Sequence, residues 1–246
     1  MRRLCSHDHP PGTLILVVVL LVAGGAEAKA VQTYAATAGS TVSGRVAGIP
    51  KTAQYLKSVL PPTTAAALNT LEGVANKHQF HSARVAGSSF EYPEESLMLL
   101  NASRARPGEA LNTICEIGFN AGLSAELLLA HNNASLHEFD ILENPWSRAV
   151  MATFHALHPG RLTMHAGDTS CTVRRALRGG RGKPDILCDR FFVDGDHSEP
   201  QVTNDFYAAI RFTRPGGLVL IDDVRARARS VPLAACLAIA LFQTRY

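Results

Sequence analysis

The sequence predicts an α/β protein built on a doubly wound, mostly parallel sheet. Five short apolar runs each end at an acidic residue, and these acids lie 24 to 28 residues apart. That interval suits a strand, a crossover helix and two short loops, because a βαβ unit takes roughly 30 residues. Parallel strands all point the same way, so the carboxylates should gather at the carboxyl edge of the sheet, where such folds bind ligands. The runs cover 113–115, 136–139, 162–166, 191–193 and 218–221, and the acids are Glu116, Asp140, Asp168, Asp194 and Asp222.

Length and composition fit one such domain behind an N-terminal extension. The chain has 246 residues, of which 46% are hydrophobic and 18% charged, as is ordinary for globular proteins. Its net charge of +3 is too small to indicate nucleic acid or an anionic membrane as a partner. We therefore expect no nucleic-acid ligand.

The first 30 residues are typical of a secretory signal peptide or a short membrane anchor. Arg2 and Arg3 precede an apolar run at 14–23, and the small-residue pattern Ala-Glu-Ala-Lys-Ala follows at 26–30. The run is well below the roughly 20 residues that span a bilayer. This pattern predicts a secreted or lumenal protein. A lumenal membrane anchor and a plastid bipartite signal are the alternatives, and membrane contact follows only if the signal is uncleaved.

Two further segments precede the predicted sheet. Residues 31–50 are rich in Ala, Gly, Ser, Thr and Val without helical or strand period, which predicts a flexible linker. Residues 51–110 form a helical extension, with helices expected at 52–60, 63–78 and 93–104. Cys115 falls inside the first predicted strand and is expected to be an apolar core residue. The cysteines lack CxxC spacing, so zinc is not indicated, although one disulfide is compatible with an oxidising lumen.

The loop after the first predicted strand carries the strongest motif. Glu116 is followed by Gly118, and Gly122 comes four residues later, ahead of a helix from about 123. A dinucleotide-binding loop needs its second glycine two positions after the first, where this chain has Asn120. The acid beside the loop would repel a pyrophosphate but suits a cationic ligand. The loop therefore disfavours NAD and favours S-adenosylmethionine, whose amino and sulfonium groups are positive. A turn without a ligand is the alternative.

Three motifs in order resemble the class I S-adenosylmethionine-dependent methyltransferases, over residues 90 to 224. They are Glu-Ile-Gly and its continuation at 116–124, Val-Asp-Gly-Asp-His-Ser at 193–198, and Arg-Pro-Gly-Gly through Asp-Asp-Val at 214–224. Within that class the pattern is most similar to the metal-dependent O-methyltransferases that act on small molecules. The resemblance implies a Rossmann-like methyltransferase domain over 111–246.

The resemblance also implies roles for individual residues. Gly118 and Gly122 would shape the loop under the methionine part of the cofactor, with Glu116 and Ser124 contacting it. The other cofactor positions follow the later strands: Asp140 would accept hydrogen bonds from the ribose, Asp168 and Thr169 would flank the adenine, and Asp194 would lie beside the cofactor.

A second group of carboxylates consists of Asp194, Asp222 and Asp223. Three acids at adjacent strand ends repel one another unless a proton or a cation neutralises them. Oxygen-only ligation favours Mg²⁺ or Ca²⁺ over zinc, and the resembled enzymes hold a divalent ion at these positions. The ion would bind the acceptor oxygen and lower its pKa. The alternative is that Asp194 and Asp222 serve only cofactor binding, capping or loop structure.

His197 is the candidate catalytic base, because a neutral imidazole can take a hydroxyl proton near pH 7. Against this, Asp-x-x-Ser stretches ahead of a helix often serve as caps, and His197 would then only support the turn. Trp146, after Asn144-Pro145, either stacks near the adenine or packs at a helix start; the second interpretation is favoured.

The segment after Asp223 is short for this fold. Its 23 residues have room for an apolar helix but not for the antiparallel strand pair that closes such sheets, which predicts a truncated strand pair and an exposed edge. A divergent short form, a homodimer covering the edge or a wrongly ended reading frame would each explain this.

Together these observations predict a methyltransferase acting on a small-molecule or sugar hydroxyl. The alternative from another class is a noncatalytic lumenal protein that kept the cofactor fold but lost turnover. An NAD-linked oxidoreductase is disfavoured by the spacing of the glycines.

Overall fold

The computed structural model of the protein describes residues 14–21, 32–37, 53–78, 93–177, 186–196, 198 and 200–222. The strands within these ranges are β1 (Leu14–Leu21), β2 (Gln32–Thr37), β3 (Thr113–Ile117), β4 (Ser135–Asp140), β5 (Leu162–Ala166), β6 (Cys188–Val193) and β7 (Thr213–Ile221). The helices are α1 (Ala53–Val59), α2 (Pro62–Lys77), α3 (Pro93–Ala102), α4 (Leu123–Leu129), α5 (Ser147–Leu157), α6 (Thr169–Leu177) and α7 (Gln201–Phe212).

The strands form one mixed sheet in the order β2-β1-β7-β6-β3-β4-β5. Strands β3 to β7 run parallel to one another. Within the parallel part of the sheet, β3 comes first in the chain, and β4 and β5 follow it outward on one side. The chain then returns to the other side of β3 with β6 and β7. The carboxyl ends of β3 and β6 therefore flank the point where the strand order reverses, which is the ligand-binding position in such sheets. The predicted doubly wound α/β fold is confirmed.

An antiparallel hairpin of β1 and β2 covers the edge of β7. Val18 lies opposite Ile221 and Leu21 opposite Leu218, and β2 pairs with the other side of β1. The expectation of an exposed edge beside β7 is therefore wrong, because the N-terminal hairpin takes the place where a C-terminal strand pair was expected. The segment 31–50, expected to be a linker, contains β2. The helix expected near the C-terminus lies outside the described residues.

Helices cover both faces of the parallel sheet. Helices α1 to α5 share one buried apolar cluster with one face of the sheet, and α6 and α7 share a second cluster with the other face. Helices α1 to α3 coincide with the three predicted before the first parallel strand, within about two residues. Among the residues described here, none of the helices combines the length and the apolar character that crossing a membrane requires.

A buried ion pair ties the segment after α3 to the amino half of β6. The guanidinium of Arg190 is 1% exposed and donates two hydrogen bonds of 2.6 Å to the carboxylate of Glu109. It also donates to the carbonyl oxygen of Ala102 at 2.9 Å. Burial alone would raise the pKa of Glu109, but the hydrogen bonds from Arg190 and from Arg106 hold it well below its usual range. This pair lies at the edge of the sheet opposite the switch point.

A disulfide between Cys115 and Cys188 joins β3 to β6, with Cα atoms 5.8 Å apart. Both residues are fully buried in the cluster beneath α6 and α7. Cys115 is therefore a core residue, as expected, but it is also covalently bonded, which its position inside an apolar run could not indicate. The bridge fixes the two strands that flank the switch point.

Candidate active site

The loop after β3 is pressed against the end of β6, and Gly118 makes this possible. Gly118 has φ +102°, and a Cβ atom there would lie 1.9 Å from the carbonyl oxygen of Asp194. The amide of Gly118 donates to the carbonyl of Phe139 at 2.9 Å, and the amide of Asp194 donates to Ile117 at 2.8 Å. The loop thus bridges the ends of β3, β4 and β6, and any side chain at position 118 would push it off β6.

Gly122 shapes the other end of the same loop, where it precedes α4 with φ +69°. A Cβ atom there would lie 3.0 Å from the ring of Phe119, which itself packs edge-on against Phe154. The positive φ also disfavours a side chain at this position. Both glycines of the predicted motif are therefore explained by backbone geometry.

Asp140, at the end of β4, organises the loop by accepting backbone hydrogen bonds. Its carboxylate accepts the amides of Phe119 at 2.8 Å and Asn120 at 3.1 Å. It also accepts the amide of Leu142 at 2.5 Å. Asn120 and Leu142 both have positive φ, which is uncommon for residues other than glycine. The carboxylate therefore holds two unusual backbone turns together at the switch point.

Trp146 supports this arrangement from the start of α5. Its indole Nε1 donates to the side-chain oxygen of Asn120 at 3.0 Å, and Asn144 donates to the same oxygen at 3.3 Å. The rest of the ring packs on the apolar cluster. Trp146 thus acts as a packing residue at a helix start. It also fixes Asn120, the position where a dinucleotide-binding loop would have its second glycine.

Glu116 lies at the centre of the site and is fully buried. The hydroxyl of Ser124 donates to its Oε1 atom, so the two residues that were expected to contact the cofactor together also contact each other. Burial raises the pKa of Glu116 to about 7, and the negative charges of Asp194 and Asp140 act in the same direction. A cation placed here would find a carboxylate with little competing solvent.

Glu138 is a second fully buried acid, which the sequence analysis missed. It lies opposite Glu116 in the pairing of β3 with β4. Burial raises its pKa well above its usual range, and the neighbouring Glu116 adds to the effect. An acid inside the predicted apolar run 136–139 was the available signal, since an unpaired charge is rarely fully buried.

Asp168 and Thr169, after β5, already make hydrogen bonds within the protein. Asp168 is exposed and accepts the amide of Ser170 at 2.8 Å and its hydroxyl at 2.5 Å; these bonds lower its pKa. Thr169 donates its hydroxyl to Asp205 at 2.7 Å. Asp205, on α7, is 2% exposed and also accepts from Gln201 at 2.9 Å. Asp205 is a further buried acid that the sequence did not single out.

Asp194 and Asp222 follow the neighbouring strands β6 and β7. The amide of Asp222 donates to the carbonyl of Val193 at 2.9 Å, which holds the two strand ends side by side. Asp223 and His197 lie outside the described residues. Among the residues that are described, no three His, Cys, Asp or Glu side chains are grouped so as to hold a metal ion. Asp196 accepts the amide and hydroxyl of Ser198 at 2.9 and 2.8 Å; these bonds form a turn ahead of α7 and do not cap it, since α7 has Pro200 at its N-cap without a side-chain hydrogen bond.

Comparison with known proteins agrees with this geometry. Residues 115–224 match a family model described as a methyltransferase domain. No curated protein matches the sequence significantly. Among solved structures, the O-methyltransferase TomG from Streptomyces achromogenes, in complex with SAM, is similar at a TM-score of 0.54 and 21% identity, over 77% of this chain and 80% of its own. The cofactor-bound protein Rv0187 from MTB is similar at a TM-score of 0.50 and 19% identity, over 81% and 84%.

The family match runs from within β3 to just beyond β7 and includes all the candidate site residues, from Glu116 to Asp223. At the identities above, the likeness to the solved structures establishes the fold. The chain therefore has the Rossmann-like fold of these methyltransferase structures, and its residues 115–224 are similar to a methyltransferase domain.

Proposed function

We propose that this chain transfers the methyl group of S-adenosylmethionine to an oxygen of a small acceptor, a small-molecule or sugar hydroxyl. The observation that carries the proposal is the loop from Glu116 to Gly122, which lies on the end of β6 and is gathered by Asp140. An oxygen acceptor is supported by the similar fold of TomG, an O-methyltransferase solved with SAM.

The acids of the switch point suit the cofactor's chemistry. Glu116 supplies a buried negative charge for the ammonium of the methionine part. The two oxygens of Asp140 have about four lone-pair sites. Three backbone amides use part of this capacity, so Asp140 can still accept a ribose hydroxyl. Asp168 and Thr169 follow the next strand outward, where the adenine would lie beyond the ribose.

A divalent cation such as Mg²⁺ would be held by Asp194, Asp222 and Asp223. The pairing of the Asp222 amide with Val193 brings the ends of β6 and β7 together, and carboxylate oxygens are the ligands Mg²⁺ prefers. When bound, the ion would act as a Lewis acid that lowers the pKa of the acceptor hydroxyl. His197 would take the proton of that hydroxyl.

Isothermal titration with S-adenosylmethionine tests the cofactor part. Asp140→Ala should weaken binding at least tenfold, since hydrogen bonds to a charged group contribute about 1.5–3 kcal/mol. Glu143→Ala is the matched control: it removes an exposed acid from the same loop and should stay within about twofold. Absence of S-adenosylmethionine binding by the folded wild-type protein would refute the proposal. Binding without methyl transfer to a panel of hydroxyl acceptors would favour the noncatalytic alternative.

Metal removal tests the second part. EDTA should stop methyl transfer and Mg²⁺ should restore it. Asp223→Ala should lose activity while its affinity for S-adenosylmethionine stays within about threefold, because that carboxylate is assigned to the acceptor side. Methyl transfer that resists EDTA, together with a wild-type melting temperature indifferent to millimolar Mg²⁺, would exclude the metal and leave His197 as the main catalytic group.

A secretory location remains part of the proposal, and the disulfide between Cys115 and Cys188 supports it, since disulfides persist mainly in oxidising compartments. Cleavage after Ala28 or Ala30 would, however, remove β1 from the sheet. N-terminal sequencing of protein recovered from a secreting host shows whether the signal is cleaved, so that β1 is lost, or uncleaved, so that β1 stays in the sheet. A homodimer was expected only to cover an open edge at β7, and because β1 lies there, the described structure no longer supports that expectation.

A further inference from the structure

Glu138 is a buried acid that the roles proposed above do not use. It lies opposite Glu116 on the adjacent strand, and both side chains are fully buried. Residues paired across neighbouring parallel strands project to the same face of the sheet. The two carboxyls are therefore neighbours inside the protein, directly behind the loop at Gly118.

Three of the four carboxyl oxygens of this pair lack hydrogen-bond donors in the described part of the chain. Within the described residues, Glu116 Oε2 and both carboxyl oxygens of Glu138 are buried without a hydrogen-bond partner, whereas Glu116 Oε1 accepts from Ser124. Two ionised carboxylates in this position would leave three buried acceptors unsatisfied and two like charges in contact, which is strongly unfavourable. One proton between the two side chains gives an acceptor on Glu116 its missing donor and leaves a single negative charge.

The surroundings favour keeping that proton on Glu138. The charged groups acting on Glu116 are Asp194, at the end of β6, and Asp140, at the end of β4; Glu138 is acted on by Glu116 and Asp140. All are acidic, so none of them favours a second negative charge. Burial raises the pKa of Glu138 well above its usual range, whereas that of Glu116 is raised to about 7. Near neutral pH, Glu116 is therefore the member that ionises.

We propose that Glu138 is a positioning residue: as a neutral carboxylic acid it donates a hydrogen bond to Glu116 and holds that carboxylate in place for the cationic end of the cofactor. This inference rests on the proposed function, in which Glu116 faces the ammonium of S-adenosylmethionine. Glu138 acts through Glu116 and has no contact with the cofactor of its own. A glutamine at position 138 can supply the same hydrogen bond, but a leucine of similar size cannot.

The test measures the affinity for S-adenosylmethionine between pH 5.5 and 8.5 for the wild type, Glu138→Gln and Glu138→Leu. Wild-type affinity should fall as the pH drops through about 7, because protonation of Glu116 removes the charge that faces the ammonium. Glu138→Gln should keep this profile and stay within about threefold of the wild type. Glu138→Leu should bind at least tenfold more weakly at pH 7, since Glu116 loses a hydrogen bond to its charged form, and its profile should move to higher pH.

Two further measurements make the outcome specific. Glu126→Gln removes another buried carboxylate, which is bonded to His158 at 2.6 Å, and should leave the pH profile unchanged. Infrared spectra of the ligand-free protein at pH 8.5, where Glu116 is ionised, should show a protonated carboxylic acid in the wild type that is lost in Glu138→Gln. That spectrum does not depend on the cofactor.

Three results would overturn the inference. Glu138→Gln and Glu138→Leu with equal affinities and unshifted profiles would make Glu138 a packing residue, even if S-adenosylmethionine binds. An equal shift of the pH profile in Glu126→Gln would show that the effect is not specific to Glu138. An absent carboxylic-acid band would remove the proton donor itself. If the wild type does not bind S-adenosylmethionine at any pH while the band is present, the proposed function fails, and the positioning role fails with it, but the shared proton stands.

Discussion

Replacing Glu109 by glutamine should lower the free energy of unfolding by about 3–5 kcal/mol near neutral pH, the usual cost of leaving a buried charge without its partner. The guanidinium of Arg190 is 1% exposed and Glu109 is 9% exposed, so water cannot replace the lost charge. A glutamine keeps one oxygen acceptor for Arg190, but its amide NH₂ would face the second N–H donor of the guanidinium, which then loses its acceptor. The other partners of Arg190, including the carbonyls of Ala102 and Asp189, carry no net charge.

The pH dependence of this effect has a definite sign. Because the pKa of Glu109 is lower in the folded protein than in the unfolded chain, its contribution is present above the unfolded value of about 4.3. It is lost as the pH falls through the folded value. The difference between wild type and Glu109→Gln should therefore be largest near pH 7 and should narrow below about pH 4.

Urea unfolding followed by circular dichroism measures both quantities, provided that the m-value stays constant. Arg106 bonds the same carboxylate but is 44% exposed, so Arg106→Ala should cost about 0–1 kcal/mol. The double variant Glu109→Leu/Arg190→Met should recover part of the loss, because it removes both charges. A cost below about 1 kcal/mol for Glu109→Gln at pH 7, or a difference that widens at acid pH, would contradict the reasoning.

Three further outcomes are expected. Gly118→Val should abolish binding of S-adenosylmethionine and lower the melting temperature, because its Cβ would meet the Asp194 carbonyl at 1.9 Å; unchanged affinity in folded protein would refute the cofactor assignment. Reducing the Cys115–Cys188 bridge, with a sequence separation of 73, should lower the unfolding free energy by about 4 kcal/mol, measured in urea with and without reductant. Trp146→Phe should cost about 1 kcal/mol and weaken binding several-fold through the released Asn120, and equal affinity by titration would contradict this.

The parallel sheet and its ligand edge could be predicted from the sequence because both depend on local patterns. Each strand from β3 to β7 contains an apolar run, and the acid that ends or follows the run marks the carboxyl edge. The spacing of the glycines in the loop at Gly118 could be interpreted because it depends only on the backbone geometry of one turn. These features repeat along the chain, so errors of a residue or two at strand ends do not change the conclusion.

The partners of buried acids could not be predicted, because they depend on which strands and helices meet. Glu138 matters because it lies opposite Glu116 on the neighbouring strand. Asp205 matters because it accepts a hydrogen bond from Thr169, which is 36 residues away in the sequence. The hairpin at Leu14–Leu21 was missed for a related reason: a short apolar run suits a signal peptide core and a buried strand equally well. Pairing with β7 is a contact across most of the chain, which no local pattern encodes.

Charged groups at the two edges of the parallel sheet have opposite effects on the stability of the ligand-free protein, and this links stability to function. At the amino edge Glu109 is bonded to Arg190, and Asp189 is paired with Arg214, so the charges there stabilise the ligand-free fold. At the carboxyl edge the charges acting on Glu116 are themselves acidic, which makes the ligand-free site unfavourable and a bound cation favourable. A cationic cofactor should therefore stabilise the domain by linkage, by about 2.7 kcal/mol at 100 times its dissociation constant. Variants at the amino edge should lower the melting temperature without changing that increment, whereas variants at the carboxyl edge should change the increment itself.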